Sequence, residues 1–212
     1  YLSDWQVGQR RLDQALATWQ QADVQLGETT ASRLTRLQIL WELQQPEQAK
    51  ALAASFDEQQ IATATPYQLE ILSELSWQQQ DYARALALYN RLLAQAKPDT
   101  PVNSQVLWYT RIAESYKATG QLEAALQTLQ TAWQSTQQPD LLLNALQMAI
   151  DAKQPEAAQT FIALAEQQGQ SMELQGRYWL LRAQLATQQD HLDDARAFYQ
   201  HLLLVEKDMT PL

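Results

Sequence analysis

Few side chains in this sequence can do chemistry at neutral pH. His191 and His201 do not stand at the i, i+4 spacing that puts two ligands on one helix face, and no His-Glu-x-x-His motif is present. A histidine without a positioned partner merely titrates, so both read as surface or boundary residues. Asp193 and Asp194 suggest a hard-cation site, but acidic residues at a helix start are equally expected beside the N-terminal dipole. There is no cysteine, which removes disulfides, thiolate nucleophiles and Cys-based zinc sites. No Gly-rich phosphate loop and no Gly-x-Ser-x-Gly elbow occurs. The expectation is a chain without catalysis, metal or cofactor. Seven tryptophans are the remaining candidates, since an exposed indole stacks on sugars or anchors peptides. Trp19, Trp41, Trp133 and Trp179 stand at core spacing; Trp77 is the exception.

The elements that would position these groups are helices. Of 212 residues, 31 are Ala, 34 Leu and 35 Gln, all good helix formers, while 5 Gly and 7 Pro are too few for the tight turns of an all-β chain. The glutamines are interspersed with Leu and Ala at helical spacing, as solvent-facing helix surface requires, and do not form low-complexity tracts. With 15 Lys+Arg against 24 Asp+Glu the net charge is −9, and the cations are scattered. Such a surface repels phosphate backbones, so nucleic acid is not an expected ligand. No stretch reaches the roughly 18–20 apolar residues of a membrane span, and residues 1–10, with Asp4 and Arg10, are no signal peptide. A first residue other than Met leads to the expectation that a targeting segment was removed or that the chain is a piece of a longer one.

An internal repeat organises the sequence. Six segments each place a small alanine three residues after an apolar or proline residue at a turn, most of them with a large apolar residue four further on. The alanines are Ala15, Ala49, Ala85, Ala125, Ala158 and Ala195, at spacings of 34, 36, 40, 33 and 37 residues. Two antiparallel helices approach closely only where one presents a methyl group, and the large residue one turn later fills the gap to the neighbouring hairpin. Between these segments lie further helices with apolar residues at helical spacing: Leu34, Leu37 and Leu40; Leu69, Leu72 and Leu75; Leu107, Ile112 and Tyr116; Leu142, Leu146 and Ala149; Tyr178, Leu181 and Leu185. All seven prolines fall in predicted turns, first helical turns or the tail, and Gly120 stands where a helix C-cap is expected.

The period and its residues resemble the tetratricopeptide repeat (TPR) family over almost the whole length. The best unit is 106–138, where Tyr109, Ile112, Ala113, Tyr116, Gly120, Ala125, Leu129 and Ala132 follow the family pattern; 66–98 is second, and the others are degenerate, with Asp or Gln often replacing the turn glycine. The resemblance implies an all-α, right-handed solenoid of antiparallel helix hairpins. One array over 1–212 is expected, with units near 1–28, 29–65, 66–103, 104–138, 139–172 and 173–212. Its ends, with a stub of a first helix at 1–7 and no polar capping helix after 206, lead to the expectation of a fragment of a longer array.

In that family ligands most often lie along the face formed by the first helix of each unit. Carried onto this sequence, the face comprises Tyr67, Glu70, Glu74, Trp77 and Gln78; Thr110, Arg111, Glu114 and Lys117; then Asn144, Gln147 and Asp151. Asn144 stands where peptide-binding members hold Asn against the ligand backbone, and Arg177 follows in the next unit. This is similar to the family's carboxylate clamp, but Leu180 or Leu181 replaces a second cation, and Ile71 and Arg111 interrupt the Asn pattern. The expectation is a non-enzymatic, bacterial scaffold that binds a protein or peptide within a larger assembly. The alternative is a periplasmic repeat domain of a polysaccharide-export or secretion machine, guiding polymer or recruiting a modifying enzyme. The Gln-rich, Lys-poor style of the helices leads to the expectation of a periplasmic or cell-envelope location over a cytoplasmic one.

Overall fold

The computed structural model describes residues 11–169 and 175–208. Among them are twelve helices and no strand. The chain divides into two compact units, Tyr1–Thr100 and Pro101–Leu212.

In the first unit, α1 (Leu12–Leu26) packs on α2 (Thr30–Glu42), and α2 forms a hairpin with α3 (Pro46–Ala54). The short α4 (Glu58–Ile61) leads to α5 (Pro66–Gln78), which forms a hairpin with α6 (Tyr82–Ala94) and also packs on α2 and α3. The second unit holds three hairpins: α7 (Val102–Ala118) with α8 (Leu122–Thr136), α9 (Pro139–Asp151) with α10 (Pro155–Glu166), and α11 (Gly176–Gln188) with α12 (Leu192–Asp208). Each unit is thus built of antiparallel helix pairs, the fold class expected from the repeat.

Local sequence explains the helix starts. Thr29, Asp57 and Thr65 form capping boxes with Ser32, Gln60 and Gln68, each satisfying two otherwise unpaired backbone N–H groups. Pro46, Pro66, Pro139 and Pro155 begin their helices, where a missing N–H costs nothing. Pro211 lies outside the described residues.

The helix ends share a device that composition conceals. Gln44, Gln80, Gly120, Lys153 and Asp190 all have positive φ, between 55° and 79°. The residue after each donates its backbone N–H to a carbonyl five residues back, for example Gln121 to Tyr116 at 2.8 Å and Gln154 to Ala149 at 2.9 Å. This is the Schellman closure of a helix, and it recurs five times, each left-handed residue standing five before a repeat alanine. Only Gly120 is the residue type that this geometry favours.

The six repeat alanines are buried: Ala15, Ala49, Ala85, Ala125 and Ala158 have no exposed surface and Ala195 has 5%. One correction concerns the apolar stripes. In α7 it is Trp108, not Leu107, that joins Ile112 and Ser115 in the interior, and Leu107 is exposed. Ile112 is buried and Tyr116 packs against the core as expected, so the error is confined to the choice between the adjacent residues 107 and 108. In α9 eight of thirteen residues are buried, Leu141–Leu143, Ala145, Leu146 and Met148–Ile150, because it is packed by α7, α8, α10 and α11.

The 55–65 connection is pinned by arginines. Arg84 Nη2 donates to the carbonyls of Ala53 (3.0 Å) and Phe56 (3.1 Å), Arg91 Nη2 to that of Ala62 (3.2 Å), and Arg33 bonds to Ser55 while covering the Phe56 ring at 4.5 Å. These cations satisfy carbonyls that helix ends leave open. Arg84→Met keeps the stem and removes the donors; it should cost about 1.5–3 kcal/mol. Equal urea-denaturation curves for variant and wild type would contradict this reading.

Candidate functional site

The packing of α9 determines where polar chemistry can sit. With eight positions buried, the polar residues confined to one stripe are Asn144, Gln147 and Asp151, at i, i+3 and i+7. On α7 the stripe Thr110, Glu114 and Lys117, at i, i+4 and i+7, lies beside it. Two hydrogen bonds tie the stripes together. Asn144 Nδ2 donates to Thr110 Oγ1 at 3.0 Å, and Lys117 Nζ meets Asp151 Oδ2 at 3.3 Å. Both pairs are 34 residues apart, one repeat length, so they join corresponding positions of adjacent hairpins.

Between these stripes and the start of α11 is a cavity of about 160 Å³ lined by Thr110, Glu114, Lys117, Asn144, Gln147 and Asp151, closed by Arg177 and floored by Leu129 and Met148. Thr110 Oγ1 donates to Val106 O at 2.8 Å, so its acceptor lone pair is what Asn144 uses. Gln147 Nε2 donates to Asp151 Oδ1 at 2.8 Å, which leaves Asp151 held by an amide on one oxygen and an ammonium on the other. Glu114 Oε2 accepts from Arg111 Nη1 at 2.9 Å. Arg177 is exposed and has no ion-pair partner among the described residues. Amide and hydroxyl groups beside the Arg177 guanidinium suit a polar, extended ligand; no group of three or more metal-ligating side chains occurs among the described residues.

Six of the seven second-unit candidates therefore line one cavity. Arg111 does not: it pairs with Glu114 from outside. Arg177, which the resemblance placed after Asn144 as a clamp cation, does. Leu129 and Met148 were not anticipated; their burial beneath a polar stripe is a consequence of tertiary packing. Tyr67, Glu70, Glu74 and Trp77 belong to α5 of the first unit. There Tyr67 donates its hydroxyl to Glu42 on α2, and burial together with the charges of Glu42 and Glu70 raises its pKa above the ordinary tyrosine value. Glu74 accepts from Tyr89 Oη at 2.9 Å and from Gln78 Nε2 at 3.1 Å, and Trp77 is half-buried. Tyr67 and Glu74 thus link α5 to α2 and α6.

A larger open hollow of about 970 Å³ lies between α8 and α10, lined in part by Leu122, Leu126, Gln127, Ala157 and Phe161. It carries one charged side chain, Glu123, and no hydrogen bond among the described residues is built across it. Size alone does not make it the site. Of the chemistry-bearing residues near the end of the chain, His191 and His201 are both exposed, His201 stacks on Trp179 at 4.5 Å, and Asp193 and Asp194 occupy the first turn of α12.

The tetratricopeptide repeat family matches residues 23–212, nine-tenths of the sequence. The chain belongs to that family. Its all-α helix-hairpin solenoid class is shared with solved TPR structures. One is the C-terminal part of a TPR repeat-containing protein from Cytophaga hutchinsonii, with a TM-score of 0.67 at 14% identity over 96% of this chain and 78% of that one. PilW, described as a widely conserved type IV pilus biogenesis factor, gives 0.56 at 18% identity over 99% and 96%. YrrB, described as a TPR protein with an unusual peptide-binding site, gives 0.56 at 10% identity over 90% and 93%. At these identities the likeness is one of fold. No curated protein sequence matches the chain. No helix among the described residues of this TPR chain is long and apolar enough to cross a membrane.

Proposed function

We propose that this TPR chain is a non-enzymatic scaffold that binds a protein or peptide segment, within a larger assembly, at the first-helix face of its second unit. The supporting observation is the polar cavity between α7, α9 and α11, built by cross-helix pairs at repeat spacing and bordered by Arg177, which has no ion-pair partner among the described residues. Asn144 Oδ1 and the Arg177 guanidinium are the groups that a ligand backbone and a ligand anion would meet. The pilus-biogenesis description of PilW and the peptide-binding description of YrrB agree with such a role without specifying it.

The polymer-guiding alternative receives less support. Stacking on sugars needs an open indole face, whereas each described tryptophan is buried or half-buried, and Trp179 is already covered by His201. Oligosaccharide titration should leave the tryptophan emission unchanged.

The reading is tested by selecting binders from a displayed random-peptide library and measuring their affinity by calorimetry. Asn144→Ala combined with Arg177→Glu should weaken binding at least about tenfold, roughly 1.4 kcal/mol. Gln127→Ala, on the α8–α10 hollow, should leave it unchanged. Loss through the second variant and none through the first would move the site to the second-helix face.

A further inference from the structure

The charges around the cavity do not all serve a ligand. Glu114 is engaged by Arg111 at 2.9 Å. Asp151 holds Lys117 at 3.3 Å and accepts from Gln147 at 2.8 Å, although both members of the ion pair are substantially exposed, 40% for Lys117 and 47% for Asp151. An exposed pair of this kind contributes little to stability. Its position is the informative feature: the ammonium that it neutralises lines the same cavity as Arg177.

We propose that Asp151 is an internal competitor, its carboxylate occupying the Lys117 ammonium that a carboxylate of the bound peptide takes when the site is filled. This rests on the peptide-binding reading above and adds to it the ligand class, a segment bearing an acidic side chain, and the residue that sets its affinity. Lys117 and Arg177 are the two cations lining the cavity, and Asp151 is the carboxylate that cancels one of them. A ligand carboxylate arriving at Lys117 must displace Asp151, and Gln147 Nε2, on the same stripe, then has a donor to offer the newcomer. Because the resident pair is half in water, displacement is cheap, and the exchange tunes affinity without blocking the site. A free carboxylate on the cavity wall also repels an anionic ligand, so Asp151 lowers the affinity for acidic ligands.

The test uses fluorescence anisotropy at about 0.15 M ionic strength, where charges more than roughly 8 Å away are screened and the net charge of −9 does not dominate. The probes are a fluorescein-labelled, C-terminally amidated alanine peptide with one central glutamate, and its twin with glutamine there. Asp151→Asn should bind the glutamate peptide about three- to tenfold more tightly than wild type, as expected for removing one negative charge a few ångströms from the ligand. The glutamine peptide should show no gain, Asp151→Glu should behave as wild type, and Lys117→Met in the Asp151→Asn background should abolish the gain. Equal affinity of Asp151→Asn and wild type for the glutamate peptide, or an equal gain for both peptides, would overturn the inference. If no variant binds either peptide the inference also falls, while the peptide-binding reading is decided separately by the library selection.

Discussion

Replacing the four non-glycine residues of the left-handed turns, Gln44→Gly, Gln80→Gly, Lys153→Gly and Asp190→Gly, should raise the stability of the protein by about 2–4 kcal/mol in total. An L-residue in this region brings its Cβ against the following carbonyl at a cost of about 1–2 kcal/mol, and glycine escapes it while losing part of the gain to its freer unfolded chain. The net is roughly 0.5–1 kcal/mol per turn. All four side chains are exposed, so their removal forfeits no buried contact, and the total takes the four increments as additive. The reverse change, Gly120→Gln, should destabilise by a similar single increment, with no clash to complicate it because nothing lies within 4 Å of its Cβ position. Urea denaturation of the fourfold variant and of Gly120→Gln checks both signs. No change in either would mean that the turns relax out of the left-handed region.

Ala125→Leu should cost about 1–3 kcal/mol, an effect of the opposite sign at the next landmark of the same turn. Ala125 is fully buried with Ala113 of α7, Leu129 and Ala132 in one cluster, and three additional carbons have no void to enter. The helices must separate or a neighbour must leave its rotamer. Ala163→Leu on the exposed face of α10 is the control, expected to stay within about 0.5 kcal/mol of wild type. Equal melting curves for wild type and Ala125→Leu would place the hairpin contact elsewhere.

These two landmarks show what the sequence disclosed and what it hid. A buried methyl at a helix crossing leaves a residue-type signature, so the six alanines were legible at their spacing. The left-handed turns leave one only when filled by glycine, and four of five are filled by Gln, Lys or Asp, which the repeat resemblance marks as replacing the turn glycine but whose residue types do not announce a left-handed backbone. In α7 Leu107 was taken for Trp108 because the two are adjacent apolar residues and periodicity alone cannot say which faces inward. The capping boxes at Thr29, Asp57 and Thr65, and with one of them the short α4, were missed, although each is a Thr or Asp followed three residues later by Ser or Gln.

The candidate site was legible in the same partial way. Thr110 with Asn144 and Lys117 with Asp151 are each separated by one repeat, so their adjacency follows from the period once the fold class is known. Arg111 is one residue from Thr110 but 100° away around the helix, which is enough to take it out of the cavity. The floor of Leu129 and Met148 depends on three helices converging, and no local pattern encodes that.

The location of binding is the claim on which the account turns, and backbone and side-chain amide NMR during titration with a library-selected peptide measures it directly. The account predicts shifts concentrated at Thr110, Glu114, Lys117, Asn144, Gln147, Asp151 and Arg177, with the Asn144 side-chain amide among the largest. Shifts concentrated instead along α8 and α10, at Gln127, Ala157 and Thr160, would contradict it.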